Sequence, residues 1–145
     1  QIARESFEVP DSIATSKTRG SAQRAFSEAV KTNYGYKCAI TGTITRDFLV
    51  ASHIVPWSQD QTIRLDPSNG ICLSLLVDRA FENGYILIDD DYIVRVNRAK
   101  IAQDSVLLGY LEPYDGRKLN GPVRGHPKSE YLRRRRDLIA TRSCD

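Results

Sequence analysis

Between His53 and Glu82 the chain carries a histidine, an asparagine and two carboxylates whose types suit one metal ion and an activated water. Hydrolysis of a phosphodiester needs a nucleophilic water, relief of negative charge in the transition state, and help for the departing oxygen. A histidine near neutral pKa can deprotonate the water, and a divalent cation can neutralise the phosphate and stabilise the leaving group. Asp78 and Glu82 are four residues apart in a helical pattern, so they project side by side and can share a cation. Oxygen ligands of that kind favour Mg²⁺ or Mn²⁺ over a structural zinc. Asn69, in a run of turn formers, has a different job: its amide can bridge backbone groups and hold the His53 segment in place.

The elements that must position these groups follow from the flanking sequence. The segment Asp47 to Ser52 holds four apolar residues in a row and reads as a buried strand that delivers His53 at its end. Pro56 stops it, and Trp57 packs the following loop onto the core. Asp66-Pro67-Ser68-Asn69-Gly70 turns the chain. Ile71 to Leu73 makes a second strand, Ser74 is placed to cap a helix through Asn83, and Gly84 is suited to the residue after its end. Upstream, Tyr36 to Ile40 reads as a short strand. A helix from Ser21 to about Tyr34 has Phe26, Ala29, Val30 and Asn33-Tyr34 on one face. Downstream, Tyr85 to Ile88 and Tyr92 to Val96 flank three aspartates as a hairpin. Residues 98 to 108 are expected to be helical, 112 to 128 an extended loop, and about 129 to 141 a basic helix.

Read together, Cys38-Ala39-Ile40-Thr41-Gly42, Ala51-Ser52-His53-Ile54-Val55-Pro56-Trp57, Arg64 through Gly70 and Asp78-Arg79-Ala80-Phe81 resemble the HNH endonuclease family, with its ββα-metal core. The likeness is to the branch found in bacterial restriction and anti-phage defence nucleases. It runs over roughly residues 21 to 96, with a weaker echo at Glu130-Tyr131-Leu132. It implies an α+β fold, a ββα-metal core with flanking helices and an additional β-hairpin. It places His53 as general base and Asn69 beside it as the catalytic asparagine that orients the histidine loop. It places Asp78 at the last metal position, and Glu82 where some members have a further ligand. Two positions depart from the pattern. Ser52 stands where a metal-binding Asp or His is frequent, and Val77 where this branch has a histidine. The metal site would then rest on Asp78 with Glu82, Ser52, water or substrate oxygens. Alternatively His53 itself ligates, or the scaffold has lost catalysis and only binds DNA.

Composition sets the frame. The length of 145 residues suffices for one domain with a core. The expected division is an arm or linker over 1–20 and a nuclease domain over 21–145, its core at 36–84. The chain opens on Gln rather than Met, which reads as an excised piece of a longer protein. Cys38, Cys72 and Cys144 form no CxxC pair, against a disulfide framework or a zinc knuckle. A reducing cytoplasm is the expected setting, and no apolar run is long enough to span a bilayer. Cys38 and Cys72 suit small core positions.

Net charge is only +3, but the basic residues concentrate beyond Arg117, which points to a polyanion such as DNA. Arg124, Lys128, Arg133, Arg134, Arg135 and Arg136 are the candidate phosphate contacts, with Lys17, Arg19 and Lys118 further candidates and His126 a surface or phosphate contact. Such contacts position a duplex without reading its sequence. Implied partners are therefore DNA, with Mg²⁺ as cofactor and Mn²⁺ or Ni²⁺ as substitutes. A recognition or regulatory domain in a longer chain would supply specificity, and a homodimer would explain double-strand breaks, since one such centre cuts one strand. No membrane partner is implied. A protein-interaction domain with a basic tail is the remaining class, separable by its indifference to DNA.

Overall fold

The computed structural model describes residues 16–144. Its elements run α1 (Ser16–Asn33), β1 (Leu49–His53), β2 (Gly70–Ser74), α2 (Leu75–Glu82), β3 (Ile86–Ile88), β4 (Val94–Val96), α3 (Arg98–Ile101), α4 (Ser105–Leu111) and α5 (Ser129–Cys144). The fold is α+β, as expected. Strands β1 and β2 pair antiparallel in a register that sets Leu49 opposite Ser74 and His53 opposite Gly70. Helix α2 follows β2 without a linking residue, so two strands and a helix form one unit. A second hairpin, β3–β4, pairs Ile86 with Val96 and Ile88 with Val94.

Helix α1 begins at Ser16, five residues before its expected start; the rest of the expected arm lies outside the described residues. Its buried stripe is Ala22, Phe26, Val30 and Tyr34, while Ala29 is exposed. The stripe recurs every four residues, so it advances slowly around the helix and stays against β1 and β2. Gly70 makes that approach possible. A Cβ there would lie 2.5 Å from Val30 Cγ2 and 2.8 Å from Phe26 Cζ, distances at which a neighbour must move.

Four local expectations are corrected. Tyr36 to Ile40 is not a strand, because its backbone bonds close locally. Cys38 N donates to Thr43 O, Gly42 N to Cys38 O, and only Ala39 N reaches β2, at Cys72 O. Gly42 holds φ +80°, which glycine adopts without the steric cost of a side chain. Strand β1 starts at Leu49, two residues later than expected, and its apolar run is not buried throughout. Phe48 is 54% exposed while Leu49 is 4% exposed. The region 98–108 divides into α3 and α4, since Asp104 accepts from Leu107 N and starts a new helix. Ser74 sits at the N-cap of α2 but forms no side-chain cap bond.

Helix α5 closes the molecule. Tyr131, Leu132, Arg135 and Ile139 are its buried residues, and Gly84, at φ +82°, lies where a Cβ would be 2.5 Å from Ile139 Cγ2. Among the described residues no helix is long and apolar enough to cross a membrane.

Candidate active site

His53 ends β1, and its ring is held on three sides. Phe26 of α1 stacks on it with centroids 4.3 Å apart and planes 10° off parallel. Trp57 meets it edge-on at 6.0 Å. Nε2 donates to the carbonyl of Arg64 at 2.8 Å. A carbonyl can only accept, so the neutral ring carries its proton on Nε2 and leaves the Nδ1 lone pair unprotonated. Nδ1 has no protein partner among the described residues, and the residue lines a cavity. Burial holds the imidazole below its ordinary pKa, with the charges of Arg135 and Arg64 acting in the same direction against the Arg64 carbonyl bond. At neutral pH the ring is therefore a free base.

The residues behind His53 fix this pose. Asn69 is fully buried; its Oδ1 accepts from Val55 N at 2.8 Å and its Nδ2 donates to Val55 O at 3.1 Å. Its own carbonyl accepts from Ile54 N. Asn69 thus continues the strand pairing past His53 with a side chain, and is a positioning residue that does not line the cavity. Arg64 lies over the Trp57 ring and donates through Nε to the Trp57 carbonyl at 2.7 Å, so the loop that orients the histidine is itself tied down. Asp66 turns the chain by accepting from Ser68 N and Oγ, and its second oxygen accepts from Tyr131 of α5 at 2.9 Å.

Ser52, His53, Asp78 and Glu82 line one cavity of about 410 Å³ together with Arg135 and Arg142. Asp78 and Glu82 come from consecutive turns of α2. Burial raises the Asp78 pKa and the neighbouring Glu82 raises it further, while a hydrogen bond from Ser52, Arg79 and Arg135 oppose. A buried carboxylate with a second carboxylate beside it is a natural seat for a cation. Among the described residues, however, no three His, Cys, Asp or Glu side chains gather as a metal cluster. Val77, at the position of the missing histidine, is buried in the core. The donor set therefore fits a hard ion bound by one or two carboxylates that keeps most of its waters, as Mg²⁺ does.

Residues 38–89 match the family model described as HNH endonuclease. Over that segment, about a third of the chain, the sequence is similar to HNH endonucleases. No curated protein matches the chain. Among solved structures, a modification-dependent TagI restriction endonuclease superposes with a TM-score of 0.52 at 23% identity, over 79% of this chain. The match spans 37% of that protein's own length, and at this identity the likeness is one of fold.

The basic residues divide in a way the sequence does not reveal. Arg135, expected on the DNA face, points inward and is 3% exposed. Its Nε donates to Ile54 O at 2.7 Å, Nη1 to Glu82 O at 3.0 Å and Nη2 to His53 O at 3.0 Å, and it stacks over Phe81. It is a clamp between the base-bearing strand and the carboxylate-bearing helix. Arg136 donates to Ile88 O and Asp90, Arg133 lies 3.8 Å from Asp90, and Arg134 pairs with Asp60 at 3.1 Å. Lys128 lies 3.7 Å from Asp66. Arg124, exposed in the loop before α5, is bridged to Asn33 through its backbone. None of these five lines the cavity, although each has exposed surface. Phe26 and Arg142 are site residues that lie outside every motif, and Arg64 stands inside one without an assigned role. The buried stripe of α1 was the available signal for Phe26.

Proposed function

We propose that this domain hydrolyses DNA phosphodiester bonds with a divalent cation, and serves a larger restriction or defence nuclease as its cutting module. The observation that carries the reading is the His53 ring. Its proton is fixed on Nε2 by the Arg64 carbonyl, leaving Nδ1 as a base beside two carboxylates in one cavity. His53 takes a proton from water at Nδ1, and Phe26 and Trp57 keep the ring from turning away. Asp78 and Glu82 would hold the cation, with Ser52 orienting Asp78 by its hydrogen bond. When bound, the cation supplies charge neutralisation at the phosphate and at the leaving oxygen. Arg133, Arg134, Arg136, Arg124 and Lys128 act as phosphate contacts outside the cavity, exchanging their intramolecular partners for the duplex. Mg²⁺ is the natural ion for this oxygen donor set, with Mn²⁺ and Ni²⁺ able to replace it. Because the domain covers little over a third of its structural neighbour's length, target choice and any response to modified bases belong to other parts of a longer protein.

The sparse ligand set favours one second reading, a DNA-binding module on an HNH scaffold that no longer cuts. Relaxation of supercoiled plasmid separates the two. Wild type nicks with Mg²⁺ or Mn²⁺ and not with EDTA, and His53→Ala and Asp78→Ala lose at least about 100-fold in rate. Cleavage by His53→Ala at the wild-type rate would sink the catalytic reading; DNA binding without cleavage under every metal would establish the second.

A further inference from the structure

Helix α5 brings one more cation to the site, near its C-terminal end. Arg142 lines the same cavity as His53, Asp78 and Glu82. Its hydrogen bond is a long one, from Nη1 to the Glu82 carbonyl at 3.3 Å. The other arginines of this helix are engaged differently. Arg133 and Arg136 share Asp90, Arg134 has Asp60, and Arg135 is consumed by three carbonyls. Among the described residues Arg142 has no carboxylate partner, although Glu82 is beside it. We propose that Arg142 binds the substrate phosphate inside the catalytic cavity, its guanidinium holding a non-bridging oxygen of the phosphate presented to His53. The inference rests on the nuclease reading and adds a substrate-contacting residue to it.

Physical chemistry supports that assignment. A guanidinium offers five donors in a planar fork, and one marginal bond leaves most of them available. The fork matches the geometry of phosphate oxygens. The cavity also needs positive charge, because two carboxylates repel an incoming phosphate. Arg135 cannot extend toward substrate, since its donors are fixed on His53, Ile54 and Glu82. Arg142 sits close enough to depress the Arg135 pKa, and is exposed where Arg135 is buried. It is the cation of this pair that can move onto a ligand. The competing role is a cap, in which Arg142 merely satisfies a terminal carbonyl of α2.

The test compares Arg142→Ala and Arg142→Lys with wild type in three measurements. Plasmid cleavage with Mg²⁺ gives rate. Binding of a short duplex across a salt series, done in a His53→Ala background that does not cut, gives phosphate contacts. Thermal melting reports the fold. Arg142→Ala is expected to lose about 100-fold in kcat/KM, and to lower the slope of log Kd against log salt by about 1, with melting unchanged. Arg142→Lys recovers the slope but not the rate, because it keeps charge without the fork. An unchanged rate and slope overturn the proposal, and a lower melting temperature alongside them assigns Arg142 to capping. If wild type itself does not cut, the nuclease reading fails separately. The salt slope then decides Arg142 alone: a reduced slope keeps it as a phosphate ligand, and an unchanged one removes it.

Discussion

Replacing Arg135 with Met distinguishes a clamp from a DNA contact. The thioether follows the arginine stem over Phe81, so packing is largely retained and the guanidinium alone is lost. Three carbonyls then lose their donors. Ile54 is fully buried, and an unsatisfied group there costs about 1–3 kcal/mol. His53 and Glu82 border the cavity, where water can replace the lost donor. Each of those charge-assisted bonds accounts for about 1.5–3 kcal/mol. Against this stands the cost of burying the charge, visible as an Arg135 pKa lowered to about 10 by desolvation first and by Arg142 second. That shift corresponds to roughly 3 kcal/mol recovered on substitution. The net loss is on the order of 3 kcal/mol, equivalent to a melting temperature about 10 °C lower for a domain of this size. Circular dichroism melts measure it, and duplex affinity at a temperature where the variant is folded provides the contrast. A variant that melts within about 2 °C of wild type yet binds DNA about tenfold more weakly would refute the clamp and restore Arg135 to the DNA face.

Asn69→Ala removes both partners of Val55, which is buried, so two backbone groups lose about 1–3 kcal/mol each. The variant is expected to melt at least about 6 °C lower and to lose cleavage even where folded, measured by melting and plasmid nicking at low temperature. The His53 pKa is depressed, chiefly by burial, so the base stays neutral down to below about pH 6.5. The acid limb of the kcat/KM profile falls below that value, and Arg135→Met, which removes one depressing charge, moves it upward. The same depression stabilises the fold above the unfolded value, a contribution lost as pH falls through the folded pKa.

The sequence marked His53, Asn69 and the Asp78/Glu82 pair because their chemistry and spacing are local. A strand end and a helix of eight residues carry His53 and the carboxylate pair to one cavity, and the turn with Asn69 lies behind it. Charge runs are not local in that sense. Arg133 to Arg136 are four consecutive arginines, and a helix turns each by about 100° from the last, so one of them must face the core. Which one does so depends on where the free carbonyls of His53, Ile54 and Glu82 lie, a tertiary fact. The expected strand at Tyr36 to Ile40 failed for a related reason. Apolar content there reflects burial, since Cys38, Ala39 and Ile40 are all buried, but in a turn that closes on itself. Arg142 lacked any signal, standing outside the arginine run and beyond every motif.

The matched segment stops at residue 89, yet the relation between base and carboxylates is set from beyond it. His53 is the last paired residue of β1, so the ladder ends where the chemistry begins. Past it, Asn69 holds the chain to the β2 side, and among the described residues only Arg135 bonds both His53 and the end of α2. Tyr131 restrains the Asp66 turn from the same helix, and Ile139 closes on Gly84. A chain ending at Asp89 would keep the whole matched segment while leaving Phe81, fully buried in the domain, without its Arg135 cover. Its exposed apolar surface would cost roughly 25 cal/mol per Å², and so short a piece has little core to offset it. Such a fragment is expected to show no cooperative melt and no nicking. A fragment that melts sharply and cuts would mean that the two strands and α2 set the site geometry unaided, and that α5 only covers it.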